Sequence, residues 1–395
     1  MAGDNCLIPS PGTPGEGRVG AFPQCSLDDT TPTPALPRST GRGGKESPRK
    51  DQRIPDILIA MYYLRMCMLQ IIAIFATFLA VSQRAVAAPQ PIHVTETDAT
   101  IFIETDALSA TIAKKGYVSG IKGGTFLDKK TGAKDLGFGL QIQDWLMAPG
   151  WRDDGYERTP KIHGNLPKHI VEGPQLCTRA NVLPAQVIRG DSFVAVKLNY
   201  TYTQAGAGYK SGSTWEQTIV FQPGVRYVIC AERITSKNSV DDLFYRLDMP
   251  GHIRHKNGDS FSYIYLSYLD KLIPSSAFDH DFGPDERFLY QRHDDAIPQR
   301  MIRAYQVTLR DKPGPWLAGM TLDPAEVCEA WCHQRGYVCM IQEMHRRHVN
   351  AGQSFGAAYI VGWFDDVPQM QKTYDQFKGA RRIEISGGKF ELIRK

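Results

Sequence analysis

The 395-residue sequence has little excess charge of either sign: 46 Lys and Arg face 42 Asp and Glu, giving +4 with histidine neutral. That near balance excludes the concentrated basic surface on which nucleic-acid binding rests. It also lacks the roughly 18 consecutive apolar residues that a membrane-spanning helix needs. Its longest apolar stretch, Leu69 to Val81, is shorter than that. No internal repeat is evident, and no Pro/Gly/Ser-rich linker interrupts the chain after Ala88, which argues for one domain from there to the end. Cysteine is scarce, eight residues with no CxxC pair.

The short apolar stretch belongs to MYYLRMCMLQIIAIFATFLAVSQRAVAA, residues 61–88, which reads as an export signal. Arg65 is its positive flank, and Ala85-Val86-Ala87 is the small-x-small pattern after which a signal peptidase cuts. Cleavage after Ala87 predicts a secreted or periplasmic protein with no membrane contact once the signal is removed. Residues 1–60, with PSPGTPGEG, TPTPALPRSTGRGG and ESPRKDQR, cannot build a core. They read as a disordered or mis-assigned extension, with translation starting at Met61, Met66 or Met68; the competing reading is a cytoplasmic tail ahead of a signal anchor. Residues 88–395 form the working domain, with 37 basic and 35 acidic residues, all ten His, all six Trp and five Cys. Cys177, Cys230, Cys328, Cys332 and Cys339 allow at most two disulfides and a free thiol, in a pairing the sequence does not fix. The run CEAWCHQRGYVC would admit zinc through Cys328, Cys332, His333 and Cys339. Without CxxC pairs, and on an oxidising export route, a disulfide or plain burial is the stronger reading.

From Ile92 onward, short Val-, Ile- and Tyr-rich runs alternate with Gly, Pro, Asn and Asp, the pattern of an antiparallel all-β protein. Strands are expected at 100–105, 108–113, 137–145, 193–203, 214–222, 226–236, 260–269, 303–310, 316–322, 337–345, 355–364 and 389–394. Two short helices near the C-terminus are expected as well. One opens at Asp323-Pro324-Ala325-Glu326 and ends at Gly336; the other opens at Asp366 and Pro368 and runs to about Phe377. So many strands in one domain predict a large β-sandwich of two packed sheets.

Three segments carry side chains suited to chemistry. In 250–268, His252, Arg254 and His255 stand at a strand end and Tyr263, Tyr265 and Tyr268 on the next strand. Together they offer a proton carrier, a cation and aromatic faces, as a sugar site requires; packed aromatics under a hydrophilic hairpin are the competing reading. In 277–300, a long polar loop holds Asp279, Asp281, Arg292 and His293. Asp279 and Asp281 could help bind calcium, although the spacing departs from a twelve-residue calcium loop, and a solvated loop competes. No other metal or cofactor is expected. In 337–364, Glu343 and His345 share a strand face with Cys339 and Ile341, where burial would raise the pKa of Glu343; a salt bridge to Arg346 or Arg347 competes. Trp145, Trp151 and Trp215 are candidate sugar-stacking rings, with core packing the commoner fate.

The third segment, with its glutamate late in a strand, the Asn-Ala-Gly-Gln-Ser turn and a long strand ending in aromatics, resembles the C-terminal part of galactose-mutarotase-like β-sandwich proteins. Those include aldose 1-epimerases and sandwich domains of polysaccharide lyases and glycosidases. The resemblance spans about 150 residues and is one of strand pattern and spacing. It implies a supersandwich, with His252 in the place of the family acid and Glu343 in that of the base. The motif around His252, Asp-Met-Pro-Gly-His-Ile-Arg-His, departs from the family's, as does Ile-Gln-Glu at the glutamate. Export tilts the expectation toward a polymer: a lyase cleaving a uronate glycan by β-elimination. In that reading Arg254 and Arg292 meet the carboxylate while His252, His255 or Tyr263 moves protons. An aldose 1-epimerase and a non-catalytic carbohydrate-binding protein are the alternatives. The expected partner is a poly- or oligosaccharide.

Overall fold

The computed structural model describes residues 92–118, 120–150, 167–180, 182–255 and 261–394, together with Met68. The chain divides into two units, Met1–Arg84 and Ala85–Lys395; apart from Met68, the described residues all belong to the second. Apart from Met68, the expected signal at 61–88 lies outside the described residues, as do the extension before it, Trp151 and the Asn257-Gly258 turn.

Among the described residues, twenty-two strands follow in order. The first nine are β1 (His93–Glu96), β2 (Thr100–Glu104), β3 (Leu108–Ala113), β4 (Leu127–Asp128), β5 (Ile142–Pro149), β6 (Lys168–Gly173), β7 (Ala185–Arg189), β8 (Val194–Thr201) and β9 (Gln204–Ala205). Then come β10 (Thr214–Phe221), β11 (Tyr227–Thr235), β12 (Val240–Ile253), β13 (Phe261–Leu266), β14 (Lys271–Pro274), β15 (Phe282–Gln291) and β16 (Met301–Leu309). The last are β17 (Lys312–Thr321), β18 (Val327–Gln334), β19 (Val338–Val349), β20 (Ser354–Phe364), β21 (Arg382–Ser386) and β22 (Lys389–Ile393). Among the described residues after Ile92, the α-helices are the one-turn α1 (Leu176–Arg179) and α2 (Val367–Phe377).

A nine-stranded sheet runs in the order β14-β13-β16-β17-β20-β11-β10-β8-β7 and a seven-stranded sheet in the order β15-β18-β19-β12-β5-β6-β9, with a four-stranded sheet β1-β2-β3-β4 and the hairpin β21-β22 beside them. All named pairings are antiparallel, so the expected all-β sandwich is the architecture observed. Period-two alternation gives each large sheet two distinct faces. Tyr245, Leu247, Met340 and Met344 of the seven-stranded sheet meet Val196, Ile219, Cys230, Tyr359 and Trp363 of the nine-stranded sheet in one continuous core.

The outer face of the nine-stranded sheet is sealed. The Asp366 side chain accepts from the Gln369 backbone N–H at 2.7 Å to start α2, with Pro368 in its first turn. Met370 and Tyr374, one turn apart, then pack on Ile302, Ala304, Trp316 and Ile360. Hairpin β21-β22 adds Ile383, Ile385, Phe390 and Leu392 to the same cover.

Two expectations need correcting. The segment after Asp323-Pro324 is a single 3-10 turn, Pro324–Glu326, that runs straight into β18, so no helix reaches Gly336. Every residue of β18 is buried, on both faces, and tertiary packing overrides the local helix-start signal there. The expected loop 277–300 contains β15, an irregular edge strand with register shifts against β18. Among the described residues, Cys177, Cys230, Cys328, Cys332 and Cys339 are all buried and free, and none forms a disulfide.

Candidate functional site

The outer face of the seven-stranded sheet is built differently, from charge. Along β12 the sequence Phe244-Tyr245-Arg246-Leu247-Asp248 alternates, sending Tyr245 and Leu247 into the core and Phe244, Arg246 and Asp248 to the outer side. Arg246 lies opposite Glu343 of β19, and Glu343 opposite Glu329 of β18. Lys168, at the start of β6, bridges Glu329 at 2.8 Å and Glu343 at 3.0 Å; Arg246 reaches Glu343 at 2.6 Å and Asp144 of β5 at 3.7 Å. Trp331 lies beneath both cations, 4.9 Å from Lys168 and 5.5 Å from Arg246. These groups are buried, which makes each pairing obligatory because an uncompensated charge there is costly.

Three strand irregularities aim the remaining side chains. Between Tyr245↔Leu146 and Leu247↔Gln143, β5 has one extra residue, so Asp144 and Trp145 together oppose Arg246. Trp145 therefore joins Met147, Ile170 and Phe244 on the outer face. Between Asp248↔Ile341 and His252↔Cys339, β12 has two extra residues. Gly251 sits there at φ +92°, where a Cβ would meet the Gly139 carbonyl oxygen at 1.7 Å, so only glycine fits. The detour returns the His252 imidazole to Asp248, with its Nε2 on the Asp248 carboxylate. Near the end of β19, His345 and Arg346 take φ of +82° and +47°. This swaps their sides: Arg346 reaches Glu329 at 3.3 Å, whereas His345 leaves the Glu343 face to stack on Phe355 and pair with Glu326 at 3.4 Å.

Electrostatics follow from these contacts. Burial pushes the Asp144 carboxyl up to about 6, against the pull of Arg246. The expectation that burial raises Glu343 is corrected: burial works in that direction, but Lys168 and Arg246 outweigh it and hold Glu343 below the usual carboxylate range. Neither Arg346 nor Arg347 pairs with Glu343; Arg347 bonds Glu326 at 2.8 Å. Burial, with Cys177 and Asp144 nearby, lifts the Tyr117 phenol well above its ordinary value.

An aromatic wall stands at the Asp248–His252 end. Tyr337 lies 5.0 Å from the His252 ring and Phe138 6.4 Å, and the Arg254 guanidinium sits 4.7 Å over Phe138. The Phe138 N–H donates to the His252 carbonyl at 3.1 Å, which ties the wall to the bulge.

Of the residues singled out in sequence, His252, Arg254, Glu343 and Trp145 lie on this one face. The others lie elsewhere. Tyr263, 41% exposed, and Tyr265, buried against α2, belong to the nine-stranded sheet. Trp215 is buried in the core between the sheets. His255 is buried against Phe261, 3.6 Å from Asp279. Arg292 donates to the carbonyls of Ala325, His345 and Arg346, so its guanidinium braces the bulge. His293 is on the surface beside Asp294. Asp281 accepts from the Gly336 N–H at 3.3 Å, and among the described residues neither it nor Asp279 joins a group of three metal-ligating side chains. The cysteine-rich run is divided as well. Cys332 faces the core, Cys339 faces the outer side, and the Cys328 thiol donates to the Glu343 carbonyl at 3.2 Å. Sequence reading missed Asp144, Lys168, Arg246, Asp248 and Glu329; the Tyr-Arg-Leu-Asp-Met alternation was the available signal for two of them.

No protein-family model matches the chain, and no curated protein matches it by sequence. Among solved structures it is similar to galactose 1-epimerase from Lactobacillus acidophilus, at 9% identity and TM-score 0.39, over 70% of this chain and 99% of that one. It is also similar to an α-galactosidase from Geobacillus stearothermophilus, at 8% identity and TM-score 0.37, over 74% of this chain and 44% of that one. A third is 4-α-glucanotransferase from Thermococcus litoralis, at 12% identity and TM-score 0.33, over 71% of this chain and 40% of that one. At these values no residue correspondence follows.

Proposed function

We propose that the chain is an exported carbohydrate-active enzyme, a lyase that cleaves a uronate-containing glycan by β-elimination on the outer face of the seven-stranded sheet. The observation that carries this is the Asp248–His252 pair beside the rings of Tyr337 and Phe138 and the Arg254 cation. In this reading Tyr337 and Phe138 receive the apolar face of the sugar ring, and Arg254 meets the uronate carboxylate. His252, oriented by Asp248, takes the C5 proton, and the Tyr337 phenol protonates the departing oxygen. Glu343, tied to Lys168 and Arg246, serves as a fixed charge that positions Arg246 and Asp144.

Incubating the protein with a panel of uronate polysaccharides and following the ultraviolet absorbance of the unsaturated product tests this directly. A rise on at least one polymer is expected, and a flat trace across a broad panel sinks the lyase reading. A second reading, aldose 1-epimerase, draws support from Asp144, a carboxyl that burial pushes up to about 6 on the same face as His252. Polarimetry on freshly dissolved α-glucose and α-galactose separates the two, and binding without turnover in either assay leaves a carbohydrate-binding protein.

A further inference from the structure

We infer that Asp248, His252 and Cys339 form a binding site for a transition-metal ion, zinc by donor chemistry, with a coordination position left for water or a ligand oxygen. Each residue offers one ligand atom, and the three atoms lie within 4.8 Å of one another. Donors around a tetrahedral zinc ion stand roughly 3.5 Å apart, so closing the set takes small side-chain rotations. His252 and Cys339 are register partners on adjacent strands, and the extra residues before His252 bring Asp248 to the same point. The set is therefore held by two neighbouring strands rather than by a mobile loop.

The donor types narrow the ion. A carboxylate, an imidazole and a thiol suit a borderline-soft cation, whereas calcium and magnesium prefer oxygen alone. Asp248 and Cys339 are buried and His252 is half-buried, with Tyr337 and Phe138 alongside. Water therefore has limited access to compete for the ion, and the His252 side leaves an approach for a fourth ligand. This is a different set from the Cys328, Cys332, His333 and Cys339 combination that the spacing suggested, which the two faces of the sheet divide.

One consequence rests on the lyase reading. His252 Nε2 donates its proton to the Asp248 carboxylate, which leaves Nδ1 to take the C5 proton. An ion on Nε2 displaces the Nε2 proton, breaks the bond to Asp248 and lowers the basicity of the ring. Metal binding and turnover should therefore compete, zinc inhibiting over the same concentrations at which it binds.

The test uses the full chain, stripped with a chelator and titrated with Zn²⁺ by calorimetry and with Co²⁺ by absorbance. One ion per chain is expected, with a thiolate-to-cobalt band that disappears in Cys339→Ser and survives in Cys332→Ser. Asp248→Asn, close to isosteric, should weaken binding at least tenfold while circular dichroism stays unchanged. Absence of binding by the folded wild type overturns the inference, whatever the variants do, and so does a band that persists in Cys339→Ser. Zinc bound by a protein that turns over no sugar contradicts the lyase reading and upholds the metal site. Turnover indifferent to zinc at saturation overturns the competition.

Discussion

The two outer faces of the sandwich are made from the same kind of strand and finished in opposite ways. On the nine-stranded sheet the outward positions are Ala, Ile, Met and Trp, and α2 with the β21-β22 hairpin covers them. On the seven-stranded sheet the same alternation presents Arg246, Asp248, Glu329 and Glu343, completed by Lys168 and Asp144. An apolar face gains free energy simply by being covered. A buried charged face gains little over an apolar replacement and collapses when one partner is removed, which makes it weak evidence for stability and a functional-site candidate. The irregular backbone concentrates on the charged sheet too: the extra residues in β5 and β12 and the left-handed pair His345–Arg346 all sit there.

The largest expected effect breaks the charged face. Arg246→Ala leaves Glu343 and Asp144 short of their shared cation and should cost about 3–5 kcal/mol, measured by urea unfolding. A loss below about 1 kcal/mol would mean that the row is relaxed by water. Met370→Ala probes the sealed face, where a cavity under α2 should cost about 3 kcal/mol while activity per folded molecule is unchanged; loss of activity without loss of stability would relocate the site.

The interior between the faces supplies a pH test. Glu232, buried, accepts from the Tyr359 hydroxyl at 3.0 Å and from Gln217 Nε2 at 3.2 Å, and burial pushes its carboxyl up to about 7. Its folded value exceeds the unfolded one, so the folded state binds the proton more tightly. Stability is full below the unfolded value of 4.5, falls as pH rises toward about 7, and is level above that. The fall amounts to at most about 3 kcal/mol and should vanish in Glu232→Gln; an unchanged pH profile in that variant would assign the effect to another group. The smallest effect belongs to Tyr263→Ala on the nine-stranded sheet, within about 0.5 kcal/mol and with activity retained. A strong activity loss there would put catalysis on the wrong side of this comparison.

Sequence alone gave the fold class and most strands because Val-, Ile- and Tyr-rich runs between turn residues are local signals. β12 escaped because Pro250 and Gly251 interrupt it, and those same residues create the detour that returns His252 to Asp248. The expectation that Glu343 and His345 share a strand face assumed regular alternation, which the left-handed residues at the end of β19 abolish. Lys168 and Asp144 pair with partners far along the chain, 175 residues away in the bond from Lys168 to Glu343, and no local pattern encodes that contact. The helix expected after Asp323-Pro324 followed a sound start signal that strand pairing with β15 and β19 overrode.

The central claim is that chemistry resides at the Asp248–His252 end of the charged face. Its most direct test is the rate of unsaturated-product formation by His252→Ala against wild type on a uronate glycan that the wild type cleaves, with unfolding midpoints measured in parallel. A loss of about 100-fold or more with the midpoint retained is expected. Near-full activity in a folded His252→Ala protein would contradict it.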